Sequence, residues 1–279
     1  GLGRSGYEIH AWVLKHYSEL FQIVSVADEL PERLEMAKAD FEAMTYTDYS
    51  YMLNAGGFDI FVNALPSHLH VQATLQALEL GYHVVSEKPL AFNIKEFDNL
   101  VEVAQKSDRI LAPFQNNRHQ PFFTELQRVV NSGVLGEIIE VRSVWGSFSR
   151  RWDWQTFQCN GGGCLFNSGP HAIDQALQFF PGSVTPKVEC TLLCHNELGG
   201  DADDYCCIIL TAQNCPRVEI LISQYIAYSP GDIYTISGTR GGLTGNYKSL
   251  NWKYYDWTQA PKQDIWKPWS IERKYPNED

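Results

Sequence analysis

The chain has 279 residues, of which 44% are hydrophobic and 20% charged, so it is long enough for two ordinary domains with buried cores. Its net charge of −11 argues against a nucleic-acid partner, because binding a phosphate backbone needs a basic face. No run of about eighteen apolar residues occurs, so we expect no membrane-spanning segment.

The seven cysteines include no Cys-x-x-Cys pair. Cys190, Cys194 and His195 could be metal ligands, but Cys190 and Cys194 share one face of a predicted strand. Free cysteine packs like a small hydrophobe, so we predict structural packing and no metal site. Free thiols indicate a reducing compartment, and we expect the protein in the cytoplasm.

The first 115 residues alternate short apolar strands with amphipathic helices. Pro31 is placed at a helix N-terminus, and Gly81 at a helix C-cap. In chain order, we predict a helix at 7–17, a strand at 21–27, a helix at 31–39, a strand at 59–64, a helix at 69–80, a strand at 82–85, a helix at 95–105 and a strand at 110–114. This alternation predicts a parallel sheet with helices on both faces.

After about residue 116 the pattern changes to long β-rich segments. We predict a helix at 121–131, strands at 138–148, 187–195, 205–212 and 218–228, and one helix at 168–180 between the first two strands. Direct links between strands indicate a mainly antiparallel open sheet. The expected domains are therefore 1–115 and 116–279.

The chain opens on Gly1 of a glycine fingerprint that normally follows a strand. We therefore expect the first strand of the sheet to be missing from this sequence. The C-terminal end has no terminating element either, so we interpret the sequence as a fragment of a longer protein, truncated at its C-terminus.

The fingerprint is formed by Gly1, Gly3 and Gly6. Such glycines allow a tight turn, close approach to a pyrophosphate and helix packing. Asp28 ends the next predicted strand, where a carboxylate can accept both ribose hydroxyls of NAD, although it could also be a capping or loop acid. Arg33 lies close to Asp28 in the sequence, and it leaves NADP open as an alternative cofactor. We predict NAD as cofactor, with NADP possible.

Lys88 follows a predicted strand in the segment Ser86-Glu87-Lys88-Pro89-Leu90-Ala91. Ligands of open α/β sheets bind at the carboxyl ends of strands, so a lysine here can hold a substrate oxygen beside a nicotinamide. A surface lysine in a turn is the alternative.

A second cluster runs from Gly161 to Asp174 and contains Asn167 and His171. Asn167 lies four residues before His171, and Asp174 lies three residues after it. On a helix these side chains share one face. An imidazole can take a hydroxyl proton near neutral pH, and a neighbouring carboxylate would raise its basicity. His171 and Asp174 could also simply form an ion pair at a helix start.

Taken together, these motifs resemble the Gfo/Idh/MocA oxidoreductases, which include glucose–fructose oxidoreductase and the inositol dehydrogenases. The resemblance extends from Gly1 to about Gly242 and includes further motifs: Pro66-Ser67-His68-Leu69-His70, Phe114-Gln115-Asn116-Asn117-Arg118 and Gly133-Val134-Leu135-Gly136. It implies a Rossmann domain followed by an α/β domain whose large open sheet makes homodimers or homotetramers. It also implies hydride transfer between nicotinamide and a sugar, inositol or polyol carbon.

The resemblance also implies roles for individual residues. Lys88 orients the substrate hydroxyl, His171 is the general base, and Asn167 and Asp174 complete the catalytic group. Expected cofactor contacts are Gly1, Gly3, Arg4, Ser5, Gly6, Asp28, Arg33, Leu65, Pro66, His70, Glu87 and Lys88. Expected substrate contacts are Lys88, Asn116, Arg118, Trp152, Asn167, His171 and Tyr234, with core or interface positions as the alternative for Trp152 and Tyr234.

The chain departs from the family at Asn167, where most members have aspartate, and at Leu65, where many have threonine. Asparagine cannot accept a proton, which leaves one alternative function open, and the family resemblance leaves a second one open. One is a non-catalytic, dinucleotide-binding regulatory homologue. The other is an NAD-dependent glycosidase, in which the cofactor is recycled.

Overall fold

The computed structural model describes residues 1–149, 151–195, 197, 199–228 and 231–259. The chain divides into two compact units. Unit 1 contains Gly1–Gln115 and Phe157–Gly162, and unit 2 contains Asn116–Thr156 and the chain from Gly163 onward. The first division thus falls after Gln115, and Phe157–Gly162 belongs to unit 1 although we expected it in the second domain.

Unit 1 has two parallel sheets within the described residues. One pairs β1 (Ser25–Ala27) with β2 (Met44–Tyr46), and the other has the order β3 (Ile60–Asn63), β4 (His83–Ser86) and β5 (Leu111–Pro113). The helices are a π-helical segment (Ser5–Ala11) that continues into α1 (Trp12–His16), then α2 (Pro31–Phe41), α3 (Tyr49–Ala55), α4 (His70–Glu79) and α5 (Ile94–Lys106). This alternation of helices with parallel strands confirms the predicted Rossmann architecture.

A cavity of about 130 Å³ lies between β1 and β3, which are not hydrogen-bonded to each other in the described part of the chain. Its lining is largely apolar and includes Val24, Val26, Phe61 and Met52. In the doubly wound order a strand lies at this point, and the gap expected from the sequence stays a prediction. The strand predicted at 21–27 is only three residues long, because β2 pairs with Ser25–Ala27 alone.

The ends of the helices follow local sequence signals. Proline occupies the first turn of α2 and of α6 (Pro121–Asn131). Asp48 caps α3 by accepting the N–H of Ser50 at 2.7 Å, and Asn93 caps α5 by accepting the N–H of Glu96 at 3.0 Å. These caps fix where the helices start, and therefore where the preceding strand ends lie.

The core of unit 1 lies where α4 packs against β3 and β4. Ala73, Ala77 and Leu78 are fully buried on α4, and they pack with Phe61 and Val84 of the two strands. This packing holds the carboxyl ends of β3 and β4 side by side, at the edge where the candidate site is formed.

Unit 2 is built on a seven-stranded sheet. Within the described residues the order is β12 (Leu250–Tyr254), β11 (Gly241–Gly245), β10 (Tyr234–Gly238), β6 (Ile138–Gly146), β9 (Arg217–Ser223), β8 (Tyr205–Thr211) and β7 (Lys187–Leu193). Only the central pair, β6 with β9, is parallel, and the other pairs are antiparallel. The predicted large, mainly antiparallel sheet is therefore confirmed.

One face of this sheet is covered by α6 and by α8 (Gly169–Leu177). Buried residues alternate with half-buried ones along β8 and β9, as expected for strands with one packed face. Phe123 and Ala172 of the helices pack with Ile220 and Tyr234 of the sheet, and all four are fully buried. The helix predicted at 168–180 is α8, which ends at Leu177, and a short helix that was not predicted, α7 (Cys164–Asn167), precedes it.

Candidate functional site

The glycine turn of unit 1 leaves no room for side chains at two of its three glycines. A Cβ atom at Gly6 would lie 1.8 Å from the carbonyl oxygen of Gly1, and one at Gly1 would lie 2.9 Å from that of Ala64. Around Gly3 the space is open, with the Arg33 guanidinium 3.9 Å away. Gly1 and Gly6 therefore close the turn, while Gly3 leaves space beside the main chain.

The turn leads directly into the helical segment Ser5–Ala11. The N–H of Tyr7 donates to the carbonyl oxygen of Gly3 at 2.9 Å, which joins turn and helix. Arg4 is exposed and Ser5 half-buried at this start. The N–H groups of a helix start favour phosphate, so this is the part of unit 1 suited to a pyrophosphate.

Asp28 follows β1 and is almost fully buried. Its carboxylate accepts the N–H groups of Leu2 at 2.6 Å and Leu30 at 3.0 Å, and it forms an ion pair with Arg33 at 3.3 Å. These donors fix the carboxylate at the strand end, where ribose hydroxyls bind in this fold. The same contacts bring a guanidinium, which is suited to a 2′-phosphate, to the same place.

The end of β3 carries a buried polar network. Asn63 donates its amide to the carbonyl oxygen of His70 and the hydroxyl of Thr74, both at 3.0 Å. The two ring nitrogens of His70 lie 2.8 Å from the carbonyl oxygen of Leu65 and 2.7 Å from that of Pro89. Burial lowers the pKa of His70, while the two carbonyl oxygens oppose that shift. His70 thus links two loops from within the core, and its ring offers no unoccupied nitrogen to a cofactor.

Glu87 and Lys88 come directly after β4. The Glu87 N–H donates to the carbonyl oxygen of Asn63 at 2.9 Å, and the N–H of Phe114 donates to that of Ser86 at 2.8 Å. The segment is therefore held between the ends of β3 and β5. Lys88 is half-buried, and its peptide bond to Pro89 is cis.

The Glu87 carboxylate makes two contacts in the interior of unit 1. One oxygen lies 3.1 Å from Nε2 of His10, and the other accepts the N–H of Lys88 at 3.2 Å. Burial alone would raise the pKa of Glu87, but these contacts and the charge of Lys88 together lower it. His10 was not among the residues predicted from the sequence. Its one available signal was a position one helical turn after Gly6, on the helix that leaves the glycine turn.

In unit 2, Asn167 and His171 lie on successive short helices. Asn167 ends α7, and His171 lies in the first turn of α8. Both are half-buried. Asp203 anchors this region, because its carboxylate accepts the N–H of Leu165 at 2.8 Å and its carbonyl oxygen accepts that of Cys164, also at 2.8 Å.

Asp174 is paired with Arg118. The guanidinium donates from Nε to one carboxylate oxygen at 3.0 Å and from its terminal nitrogen to the other oxygen. The pair raises the pKa of Arg118, mainly through the hydrogen bond. The expected support of His171 by Asp174 stays a prediction, and in the structure the Asp174 carboxylate neutralises Arg118.

The remaining expected substrate contacts differ in exposure. Asn116 begins a short 3₁₀ turn and is half-buried. Trp152 is 77% exposed, and Tyr234 is fully buried, with its hydroxyl donating to Gln175 at 2.8 Å. Tyr234 therefore occupies the core position that was its alternative, because no part of it reaches the surface.

In the part of the chain that the structure describes, no helix is long and apolar enough to cross a membrane. No three His, Cys, Asp or Glu side chains among the described residues cluster in a way that could hold a metal ion.

Comparison with known proteins identifies the family. Residues 1–115 match the model described as "Oxidoreductase family, NAD-binding Rossmann fold", and residues 123–244 match the GFO/IDH/MocA C-terminal domain. The chain belongs to the Gfo/Idh/MocA oxidoreductase family. The NAD-binding Rossmann fold and the resemblance inferred from the sequence are thereby confirmed.

Several curated relatives have related names. An uncharacterized oxidoreductase of Schizosaccharomyces pombe is 28% identical over 87% of this chain and 68% of its own length. The scyllo-inositol 2-dehydrogenase (NADP(+)) of Bacillus subtilis is 27% identical over 67% of this chain and 53% of its own. The D-glucoside 3-dehydrogenase of Escherichia coli is 29% identical, and the match covers 63% of this chain and 51% of that protein.

Solved structures of this family share the fold. The WlbA dehydrogenase of Bordetella pertussis, in complex with NADH and UDP-GlcNAcA, superposes with a TM-score of 0.79 at 23% identity, over 92% of this chain and 76% of that one. Apart from the S. pombe protein, the curated relatives named above are matched over only about half of their length.

Proposed function

We propose that this Gfo/Idh/MocA protein transfers a hydride between NAD or NADP and a hydroxyl-bearing carbon of a sugar, an inositol or a related polyol. The observation that carries the proposal is Lys88, at the carboxyl end of β4 in the NAD-binding unit. Its main chain is held there by the buried Glu87. The names of the inositol and glucoside dehydrogenases among the relatives support the substrate class.

In this mechanism the Lys88 ammonium binds the reacting oxygen of the substrate. A cation at that position stabilises the alkoxide that develops as the hydroxyl proton leaves. His171 takes that proton, and Asn167 orients the substrate or the imidazole by hydrogen bonding. Gly1, Gly3 and Gly6 would let the pyrophosphate of NAD or NADP approach the turn, and the nicotinamide of that cofactor would supply the hydride acceptor.

Cofactor choice rests on the Asp28–Arg33 pair. Asp28 would accept the ribose hydroxyls of NAD, while Arg33 could turn toward the 2′-phosphate of NADP. Relatives are named with both cofactors, NADP for the B. subtilis enzyme and NADH in the B. pertussis complex. We infer NAD as the main cofactor, because Asp28 is held by two main-chain donors besides Arg33.

The test measures absorbance at 340 nm with NAD and then NADP against inositols, aldoses, glycosides and sugar acids. We expect Lys88→Ala to reduce kcat by roughly 10²-fold or more, the effect of losing one oxyanion-stabilising donor, while NAD still binds. Lys95→Ala is the matched control, because Lys95 is an exposed lysine on α5. Full turnover in Lys88→Ala would refute the proposed mechanism.

A second candidate is a protein that binds the dinucleotide without turning over substrate. Asn167 favours it, because an amide can neither accept a proton nor stabilise an imidazolium by charge. Tight NAD binding without turnover, together with activity in Asn167→Asp, would establish this candidate. Asn131→Asp, at the exposed end of α6, adds the same charge and should stay inactive.

We also infer that the protein forms homodimers or homotetramers through the sheet of unit 2. The strand β7 lies at its edge and leaves Val188, Leu192 and Leu193 largely exposed. Val188 and Leu192 lie on the same face of this strand, and exposed apolar side chains that share a face are typical of an interaction surface. Light scattering should give a dimer or tetramer for wild type and a smaller species for a Val188→Lys, Leu192→Lys variant.

A further inference from the structure

We propose that His10 is a positioning residue for Lys88, acting through the Glu87 carboxylate. The inference rests on the role proposed above for Lys88. It adds a residue 77 positions away from Glu87 in sequence, on the helix that leaves the glycine turn.

The contact between His10 and Glu87 lies in the interior of unit 1. The two side chains are 8% and 9% exposed, and Nε2 lies 3.1 Å from the carboxylate oxygen. A buried carboxylate is costly unless it is paired, so Glu87 depends on this partner to stay ionised. The pair is therefore expected to be rigid.

The His10 ring is fixed on its other side by an aromatic contact. It lies 4.3 Å from the Phe114 ring, centroid to centroid, at an interplanar angle of 52°. Phe114 is itself tied to Ser86 at the end of β4 by a main-chain hydrogen bond of 2.8 Å. His10 is thus packed against the strand end that it helps to organise.

Glu87 carries the effect of His10 to the lysine. Its second carboxylate oxygen accepts the Lys88 N–H at 3.2 Å, and its own N–H is held by Asn63. On the far side of the lysine, His70 lies 2.7 Å from the carbonyl oxygen of Pro89. The Lys88–Pro89 dipeptide is therefore held by a buried histidine on each side, directly by His70 and through Glu87 by His10.

The Glu87 carboxylate has two contacts among the described residues, the His10 ring and the Lys88 N–H. Without the ring nitrogen of His10, the carboxylate would stay buried with the Lys88 N–H as its remaining hydrogen-bond donor. Such a group takes up a proton or moves toward water, and either change weakens its hydrogen bond to Lys88. The Lys88 main chain would then be free to shift. A small displacement of a substrate-binding group is enough to lower the rate.

The test compares three variants, His10→Ala, His10→Asn and His10→Gln. The side-chain amide nitrogen of glutamine lies as many bonds from Cα as Nε2 of histidine, whereas that of asparagine lies one bond closer. Glutamine should therefore restore the donor to Glu87, and asparagine should not. His16→Ala is the control, because His16 is exposed and its ring contacts Trp12 of the same helix.

Two measurements are made on each variant. Amide hydrogen exchange at Lys88, followed by NMR, needs no substrate, and kcat and KM are measured with the best substrate of the panel. We expect His10→Ala and His10→Asn to speed exchange at Lys88 and to lower kcat, each by about tenfold, the effect of one lost hydrogen bond to a charged group. His10→Gln and His16→Ala should stay near wild type, and the KM for NAD should change little.

Unchanged exchange at Lys88 in His10→Ala or His10→Asn would overturn the proposal, as would a glutamine variant no better than the asparagine variant. If His10→Ala does not fold, the asparagine and glutamine pair still decides. If wild type turns over no substrate, the proposed function fails, whereas hydrogen exchange still shows whether His10 holds Lys88 in place.

Discussion

Gly6→Ala should destabilise the protein even without cofactor, because the new Cβ would lie 1.8 Å from the carbonyl oxygen of Gly1. Ordinary contact distances are 3.4–4 Å, so main chain must move rather than a flexible side chain. Overpacking of this kind costs up to about 3 kcal/mol. Alanine is more stable than glycine in a helix by about 1 kcal/mol, and this gain offsets part of the overpacking cost.

The expected net loss for Gly6→Ala is therefore about 2 kcal/mol of unfolding free energy, equivalent to a fall in Tm of roughly 4–8 °C for a protein of this size. Differential scanning calorimetry without cofactor measures this directly. Gly3→Ala is the matched control, because its nearest atom would be a guanidinium nitrogen 3.9 Å away.

The two variants should differ in a second way. Gly3→Ala should keep the Tm of wild type and lose affinity for NAD, because its methyl group would occupy the space left for the pyrophosphate. An unchanged Tm in Gly6→Ala, or a Gly3→Ala variant that binds NAD as tightly as wild type, would refute this account of the turn.

Three further results are expected. Arg33→Ala should lower kcat/KM with NADP by about tenfold relative to NAD, because it removes the cation next to Asp28 that can pair with a 2′-phosphate. Steady-state kinetics with both cofactors measures this ratio. The lowered pKa of His70 means that the folded state binds fewer protons than the unfolded state, so stability should fall as pH drops below about 6.5. Tm measured from pH 7.5 to pH 5.5 should therefore fall more in wild type than in His70→Gln. Arg118→Met should lower the unfolding free energy by about 1 kcal/mol, and Arg118→Lys should lower it by less. The reason is that the Asp174 side chain is mostly buried and the Arg118 guanidinium contacts both of its carboxylate oxygens. Urea titration measures the unfolding free energy of both variants.

The sequence predicted best those elements whose limits are set by local chemistry. The helix predicted at 121–131 has those limits in the structure, because proline fixes its start and Ser132 and Gly133 follow its end. The apolar segment at 21–27 was predicted as one strand, but a strand also needs a partner, and β2 offers only three residues. The strands β10, β11 and β12 were missed, because each is only five residues long and β11 consists mostly of glycine.

The same distinction applies to the candidate site. The glycine turn could be predicted from the spacing of its three glycines, and Asp28 and Lys88 could be predicted because each follows an apolar strand in a known pattern. The contacts of His10 with Glu87 and of Arg118 with Asp174 join residues 77 and 56 positions apart. A single histidine on an amphipathic helix carries no sign of its distant partner, so only the folded chain could show it.

The parallel pairing of β6 with β9 has a consequence for how unit 2 folds. These two strands form the middle of its sheet, yet Glu140 lies opposite Arg217, far along the chain. Bringing the two strands together closes a long loop, and the entropy cost of this closure precedes any free energy gained from packing. Unit 2 therefore completes its core late in synthesis, and the chain between these strands must stay free of wrong pairings until β9 emerges.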